Sequence, residues 1–306
     1  MRFPSGRQLV QFLRLSRPHF LLGGFLLFGL GTAIASYLKY AIDIQLYVLG
    51  QAMITSTQLM AHYFNEYYDL KADRLNNNRT ILSGGSGALG EDGLPPQTAL
   101  YAGFAAITMM ATLAGVLLVS GRPPLISWLL LVMGVLGSYF YSVPPVRLVS
   151  SGYGEFTSAL VVSGLVPAYA FSLQTGTIHP QVILSTLPLV AVTFAMLLLF
   201  DLPDYASDLK ADKATLMVRI GWRNGMRLHD AALVLAFASL GVGYLLGLPY
   251  KVAVGPMIAF PLAVAQIWIL WRIRGGAPPR WTMLAISELV ILGLMTYLEL
   301  AGYLLS

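Results

Sequence analysis

Two stretches of the chain carry acidic residues at a spacing that suits metal and phosphate chemistry. The first reads Asn65-Glu66-Tyr67-Tyr68-Asp69-Leu70-Lys71-Ala72-Asp73, and the second runs from Asp201 through Asp204 and Asp208 to Asp212. In a helix, residues four apart share a face and rise about 6 Å per step. Positions 65, 69 and 73 therefore line up, as do 204, 208 and 212, while Pro203 predicts a kink or a helix restart. Carboxylates stacked this way repel one another unless a cation gathers their oxygens. The chain has no cysteine and neither motif contains histidine, so the donors are oxygens, which suit Mg²⁺ before Ca²⁺. Mg²⁺ typically takes one or two carboxylates together with substrate phosphates. The pattern points to a diphosphate bridged through metal between two opposed acidic helices, with Asp69, Asp73, Asp204 and Asp208 as metal ligands. The alternative is that these are ordinary acids of cytosolic loops, paired with neighbouring lysines and arginines.

Basic residues interleave both motifs: Lys71, Arg74 and Arg79 in one, Lys210 and Lys213 in the other. An anionic substrate needs positive charge beyond its metals, and arginine grips phosphate in bidentate fashion. Arg79 and Lys213 are the expected phosphate contacts. The segment 76–96 is long for a helix connection. Its Ser83-Gly84-Gly85-Ser86-Gly87 run could offer backbone N–H groups to phosphate, hinge a lid or serve as a flexible linker.

The elements that must hold these motifs follow from composition. Of 306 residues, 57% are hydrophobic and 11% charged, where soluble domains carry roughly a quarter charged residues. That supply cannot cover a water-soluble surface. The missing cysteine excludes disulfides and thiolate chemistry. The net charge of +5 forms no basic stripe, so no nucleic-acid partner is expected. Apolar runs near 18–38, 44–64, 98–119, 124–141, 155–173, 181–200, 229–248, 252–271 and 282–304 meet the length of about 20 residues that a membrane helix needs. The fold class is all-α, with nine spans in one domain, 1–306. The segments 65–97 and 201–228 are read as loops bearing the acidic motifs. The first span follows Arg2, Arg7, Arg14 and Arg17 and is read as a retained helix rather than a signal peptide.

Of the 19 lysines and arginines, only Lys39, Arg122 and Lys251 fall outside the segments on one side. By the positive-inside rule, the amino terminus and both acidic segments face the cytoplasm. Nine of the 14 acids lie in those two places, with Glu91 and Asp92 beside the first motif. The two groups can therefore face each other across one cavity.

At these residues the sequence resembles the UbiA superfamily of intramembrane aromatic prenyltransferases. Asn65-x-x-x-Asp69-x-x-x-Asp73 with Asp204-x-x-x-Asp208 is similar to that family's paired aspartate-rich motifs, and the nine-helix layout runs in the same order. The resemblance implies helices around a large central cavity. It also implies an isoprenyl diphosphate held through Mg²⁺ by Asn65, Asp69 and Asp73 on one face and Asp204 and Asp208 on the other. Asp201 and Asp212 are assigned to the substrate region.

Three stretches resemble the 1,4-dihydroxy-2-naphthoate branch of menaquinone synthesis: Arg79 to Ser86, Tyr141-Ser-Val-Pro-Pro-Val-Arg147, and Leu202-Pro203-Asp204-Tyr205 through Lys213 to Gly221. Pro203 stands where many naphthoate enzymes have arginine, and Asp212 replaces the usual glycine before Lys213. The resemblance implies an integral protein of a bacterial or archaeal plasma membrane. Its substrates would be an isoprenyl diphosphate and an aromatic acceptor: dihydroxynaphthoate, or else 4-hydroxybenzoate, homogentisate or a glycerol-phosphate lipid.

Tyr67, Tyr68, Tyr139 and Tyr141 lie at cytoplasmic span ends, where they could face an allylic cation or form the interfacial aromatic belt. Tyr141 and Arg147 resemble the family's tyrosine-plus-basic motif beside the acceptor. Glu155 reads as a general base or a helix N-terminal charge, and His62 as a packing histidine. Glu288, inside the last span, marks an expensive carboxylate with no assigned role. A divalent-cation transporter is the rival class. It would need acids along a path through the membrane, and here they gather at one end.

Overall fold

A computed structural model describes residues 6–91, 93–121 and 123–306. Arg2, Asp92 and Arg122 lie outside the described residues. The helices in chain order are α1 (Gly6–Ser16), α2 (Pro18–Tyr37), α3 (Ile44–Tyr68), α4 (Leu70–Leu75), α5 (Pro96–Ser120) and α6 (Leu125–Ser142). Then follow α7 (Gly154–Thr175), α8 (Pro180–Lys210), α9 (Leu216–Ile220), α10 (Trp222–Leu245), α11 (Tyr250–Arg274) and α12 (Trp281–Leu304). Among the described residues, eight helices are long and apolar enough to cross a membrane: α2, α5, α6, α7, α8, α10, α11 and α12. The chain is an all-α polytopic membrane protein. Apolar side chains on the outer faces of α5 and α6, such as Phe104, Met109, Leu129 and Met133, are exposed, as hydrocarbon solvent permits.

The expected second span, 44–64, is helical as α3, but it is not among the eight. Its apolarity is diluted by Gln51, Ser56, Thr57 and Glu66, all of which are buried. The polar side chains of α3 turn inward while the helix packs along α5. Asp43 caps its start, accepting the Leu46 N–H at 3.1 Å.

The reading of 201–228 as a loop is corrected. Pro188 and Pro203 both lie within a continuous α8 that reaches Lys210, and α9 and the start of α10 fill most of the remainder. Pro203 is buried with Leu202, so packing offsets the backbone bond that proline removes. At 31 residues α8 spans about 46 Å, against a hydrocarbon thickness of about 30 Å. Its acidic end therefore projects beyond the apolar layer. The first motif is likewise mostly helical, since α3 reaches Tyr68 and α4 follows after Asp69 alone.

A cavity of about 520 Å³ opens inside the bundle, walled by α2, α3, α6, α7, α8 and α12. Two local irregularities shape it. The middle of α7, Leu160–Leu165, is a π-helical turn just before Pro167, and such turns widen a helix; Val161, Val162 and Leu165 line the cavity there. On α2, a Cβ at Gly31 would overlap the Pro167 carbonyl, so glycine permits the close approach of α2 to α7.

Candidate active site

Asp69 is the hub of the cavity mouth. It sits at the α3–α4 junction, where its N–H bonds the Asn65 carbonyl at 2.9 Å and its carbonyl accepts from the Asp73 N–H at 3.0 Å. The four-residue ladder thus continues across the break and keeps 65, 69 and 73 on one side. The Asp69 side chain is 3% exposed and meets three partners. Asn65 Nδ2 donates to Oδ2 at 2.9 Å. Lys213 Nζ lies 2.9 Å from the same oxygen, and Arg147 Nη2 is 3.2 Å from Oδ1.

The second motif reaches this hub through Lys213. Its backbone N–H bonds the Asp208 carbonyl at 2.9 Å, closing the end of α8 in the manner of a Schellman turn. Such a turn needs a left-handed residue just before it, and Asp212 supplies one with φ 54. This explains why glycine is usual there: Asp212 serves the backbone, with its side chain exposed. The turn folds Lys213 back so that Nζ also lies 3.7 Å from Asp208 Oδ1. Burial alone would pull this lysine's pKa down, but Asp69 and Asp208 outweigh burial and hold it well above the ordinary range. Asp204 accepts a hydrogen bond from Asn76 Nδ2 at 2.6 Å, so a residue just past the first motif touches the second.

The glycine-rich segment lies over this mouth. Leu82, Ser83, Gly84 and Gly85 line the cavity. Gly84 and Gly85 both have φ +78, and a Cβ at Gly85 would overlap Asp73 Oδ2. The segment is held by Glu66, which accepts from the Ser86 N–H and hydroxyl, each at 2.7 Å, and pairs with Arg17. Neither Arg17 nor Glu66 was singled out from sequence as a site residue, because their pairing joins α2 to α3. Burial pushes the Asp73 carboxyl up to about 7, with Asp69 adding to the rise and Lys213 opposing it. A buried acid beside another acid is the environment a cation relieves.

Asn65, Asp69, Asp73, Tyr141, Asp201, Asp204 and Lys213 line the cavity. Asp208 and Arg147 join them through their ion pairs. Other expected residues stand apart. Tyr139 packs edge-on against Phe64, 5.6 Å between centroids, in the apolar cluster outside the cavity. Arg79 does not line the cavity and turns back to α4, Nη2 donating to the Asp73 backbone carbonyl at 3.1 Å. Glu155 lines the cavity and accepts the Leu216 N–H at 2.8 Å through Oε1, and its carboxyl also meets that of Asp201, with no other donor reaching Glu155 Oε2 or Asp201 Oδ2. Glu288 lies elsewhere, 3.3 Å from His229 Nε2.

The residues present fit Mg²⁺ under one condition. Among the described residues no three acids or histidines converge as a ready metal cage, so the expected quartet does not form a self-sufficient site. Oxygen-only donors, the facing Asp201 and Glu155 carboxyls nearby and a mouth open to the cavity instead match an ion completed by substrate phosphate and water.

The sequence matches the UbiA prenyltransferase family over residues 25–287. The chain belongs to the UbiA prenyltransferase family. It is thus a UbiA-type enzyme, 29% identical over 247 residues to 1,4-dihydroxy-2-naphthoate octaprenyltransferase of Bacillus subtilis (strain 168), covering 79% of this chain and 74% of that protein. Its fold is similar to a UbiA homolog from Archaeoglobus fulgidus bound to GPP and Mg²⁺, with a TM-score of 0.63 and 16% identity over 96% of this chain and 99% of that one. It is equally similar to an apo UbiA homolog from Aeropyrum pernix K1, TM-score 0.63 and 16% identity, covering 92% and 97%. A structure of digeranylgeranylglyceryl phosphate synthase also shares this UbiA fold, TM-score 0.61 and 15% identity over 97% and 98%.

Proposed function

We propose that this protein carries out Mg²⁺-dependent transfer of a prenyl group from an isoprenyl diphosphate to 1,4-dihydroxy-2-naphthoate, in menaquinone synthesis. One observation carries the reading: a single cavity joins an apolar interior, with Leu130, Val166 and Met196, to a mouth of paired acids with a half-buried lysine. That shape accepts a molecule that is hydrocarbon at one end and polyanion at the other. The 29% identity to a naphthoate octaprenyltransferase supports this acceptor over the others. The setting is a bacterial or archaeal plasma membrane, with α3 as a ninth span and the acidic mouth cytoplasmic.

Asp69, Asp73, Asp204 and Asp208 would hold the metal with the diphosphate, and bound Mg²⁺ supplies electrostatic stabilisation of the leaving group. The chain's own residues do the rest. Lys213 and Arg147 aim fixed positive charge at the oxygens where charge accumulates as the allylic C–O bond breaks. The bonding pair leaves with the diphosphate, and a ring carbon of the acceptor bonds to the allylic carbon. When that carbon is the one bearing the carboxylate, the attack turns the neighbouring phenol into a ketone with loss of its proton. The carboxylate then leaves as CO₂, its bonding pair returns to the ring, and a proton returns to the oxygen to restore the phenol. Apolar walls keep water from the cation, and the Tyr141 ring, lining the cavity, can face it. A cation transporter is disfavoured because Glu288 and Glu299, the acids deeper in α12, lie outside the cavity lining.

The test incubates purified protein, Mg²⁺ and labelled geranylgeranyl diphosphate with each acceptor in turn. Prenylated product with dihydroxynaphthoate, and not with 4-hydroxybenzoate, homogentisate or a glycerol-phosphate lipid, is expected. Product from another acceptor alone would reassign the substrate, and none from any would sink the reading.

A further inference from the structure

A second charged region lies away from the cavity. Arg223, Arg227, Arg272 and Arg274 line one open recess of about 850 Å³ with Trp271 and the turn Gly275–Ala277. The recess lies between the start of α10 and the end of α11. Because α9 and short turns join α8 to α10, and α11 returns antiparallel to α10, it opens on the same side of the membrane as the acidic mouth. Trp271 lines the recess, Trp222 and Trp268 lie under Arg223 and Arg272, and Trp281 begins α12. Tryptophan concentrates at the lipid–water boundary, and Trp268 and Trp271 are 53% and 63% exposed.

Ordinary sidedness places arginines near the cytoplasm but does not explain why these lack acidic partners. At the mouth, Arg17, Arg147 and Lys213 are each paired with a carboxylate. In the recess only Arg274 is, with Asp230 at 2.7 Å. Among the described residues, Arg223, Arg227 and Arg272 make no ion pair. Arg223 and Arg272 rest over Trp222 and Trp268 at 5.1 and 5.2 Å, and Arg227 donates to Asn224 at 3.3 Å. All four cations are arginine, whose fork matches phosphate oxygens in pairs. The next hairpin, which shares α11, carries an apolar furrow between α11 and α12 lined by Leu262, Ile286 and Val290 with Arg280 and Trp281.

We propose that this recess binds the phosphate of an anionic phospholipid, whose acyl chains run down the apolar faces of the α11–α12 hairpin. Cationic pockets between helices at the cytoplasmic boundary suit such headgroups. A soluble phosphate would gain nothing from the flanking tryptophans or the furrow, which is why the lipid is the chosen source. The site is separate from the catalytic mouth and does not depend on which acceptor is prenylated.

The full chain, purified in detergent, is titrated with phosphatidylglycerol or phosphatidylcholine vesicle lipid, and bound lipid is counted by native mass spectrometry. Wild type should retain phosphatidylglycerol preferentially, and R223Q/R227Q/R272Q should weaken that binding roughly a hundredfold, at about fivefold per charge. Equal retention of both lipids by wild type overturns the proposal, as does unchanged preference in the triple variant. Displacement of the lipid by millimolar inorganic phosphate would reassign the site to a free anion and overturn it too. If the triple variant does not fold, R223Q and R272Q singly decide, each expected to weaken binding about fivefold. No change in either rejects the site.

Discussion

Two clusters of buried charge in this protein look alike by composition and differ in what they face. At the cavity mouth, Asp69 gathers Asn65, Lys213 and Arg147, and neighbouring Glu155 and Asp201 each keep an oxygen that no donor outside their own pair reaches. Between α10, α11 and α12, His229 contacts both Glu288 and Asp230, and Asp230 holds Arg274. His229 and Glu288 are fully buried and line none of the cavity. An ionisable residue inside a membrane protein is commonly read as functional. The contrast shows that burial alone does not make that distinction. Spare oxygens do not make it either, because Glu288 Oε1 is buried without a partner too; what separates the cluster suited to chemistry from the one that locks helices is that its acids face the cavity.

The largest effects should come from the mouth. Asp69→Ala and Asp208→Ala are each expected to lower turnover about 10³-fold or more, and Asp69→Ala should also lower the thermal midpoint in detergent, because Lys213 and Arg147 lose their shared counter-charge. Steady-state kinetics and a melting curve on the same preparation check this; full activity in either variant removes that residue from the site. Lys213→Ala should cost about 10²-fold in turnover, since one fixed donor is lost while the acids remain. Its effect on prenyl diphosphate affinity should be smaller, because the charge matters most as the C–O bond breaks. An equal loss in affinity and turnover would make Lys213 a ground-state anchor instead.

The loop offers a finer test. Gly85→Ala places a Cβ against Asp73 at φ +78, whereas Gly221→Ala meets a similarly positive φ of +79 with nothing within 4 Å. Strain at such positions costs on the order of 1–3 kcal/mol, so both should lower stability. Only Gly85→Ala should also lower turnover, about tenfold, by displacing a carboxylate of the site. Matching losses of turnover in the two would mean that the segment does not shape the mouth.

The contrast between clusters also sets what sequence could reveal. Asp69, Asp73, Asp204 and Asp208 stand out because helical spacing repeats along the chain, and local periodicity needs no tertiary knowledge. Asn76, which contacts Asp204 from 128 positions away, sits in an Asn-Asn-Asn run that reads as a turn. Arg17 and Glu66 are 49 apart, and only packing of α2 on α3 joins them. Pro203 misleads because proline's local penalty is offset by burial. Tyr139 misleads because span-end position says nothing about which way a ring points. In α3, inward polar groups dilute the hydropathy, so the helix that carries the first motif reads as less apolar than its neighbours.

The smallest effect on turnover is expected from Glu288, and it is the one that decides the comparison. Glu288 Oε2 lies 3.3 Å from His229 Nε2, and removing it leaves buried His229 Nε2 without a partner, with only Asp230 on the other side of the ring. That loss typically costs about 3–5 kcal/mol, so Glu288→Ala should melt well below wild type. Glu288→Gln keeps an oxygen toward His229 and should lose less. In both variants the folded fraction should turn over within about twofold of wild type, because nothing in this network reaches the cavity and effects far from the chemistry act through stability. A double variant, His229→Ala with Glu288→Ala, should be less destabilised than the sum of the single changes, since the orphaned partner is gone. If Glu288→Ala instead lowered turnover a hundredfold with its melting curve intact, the two clusters would be coupled. The division between chemical and structural buried charge drawn from cavity access would then fail.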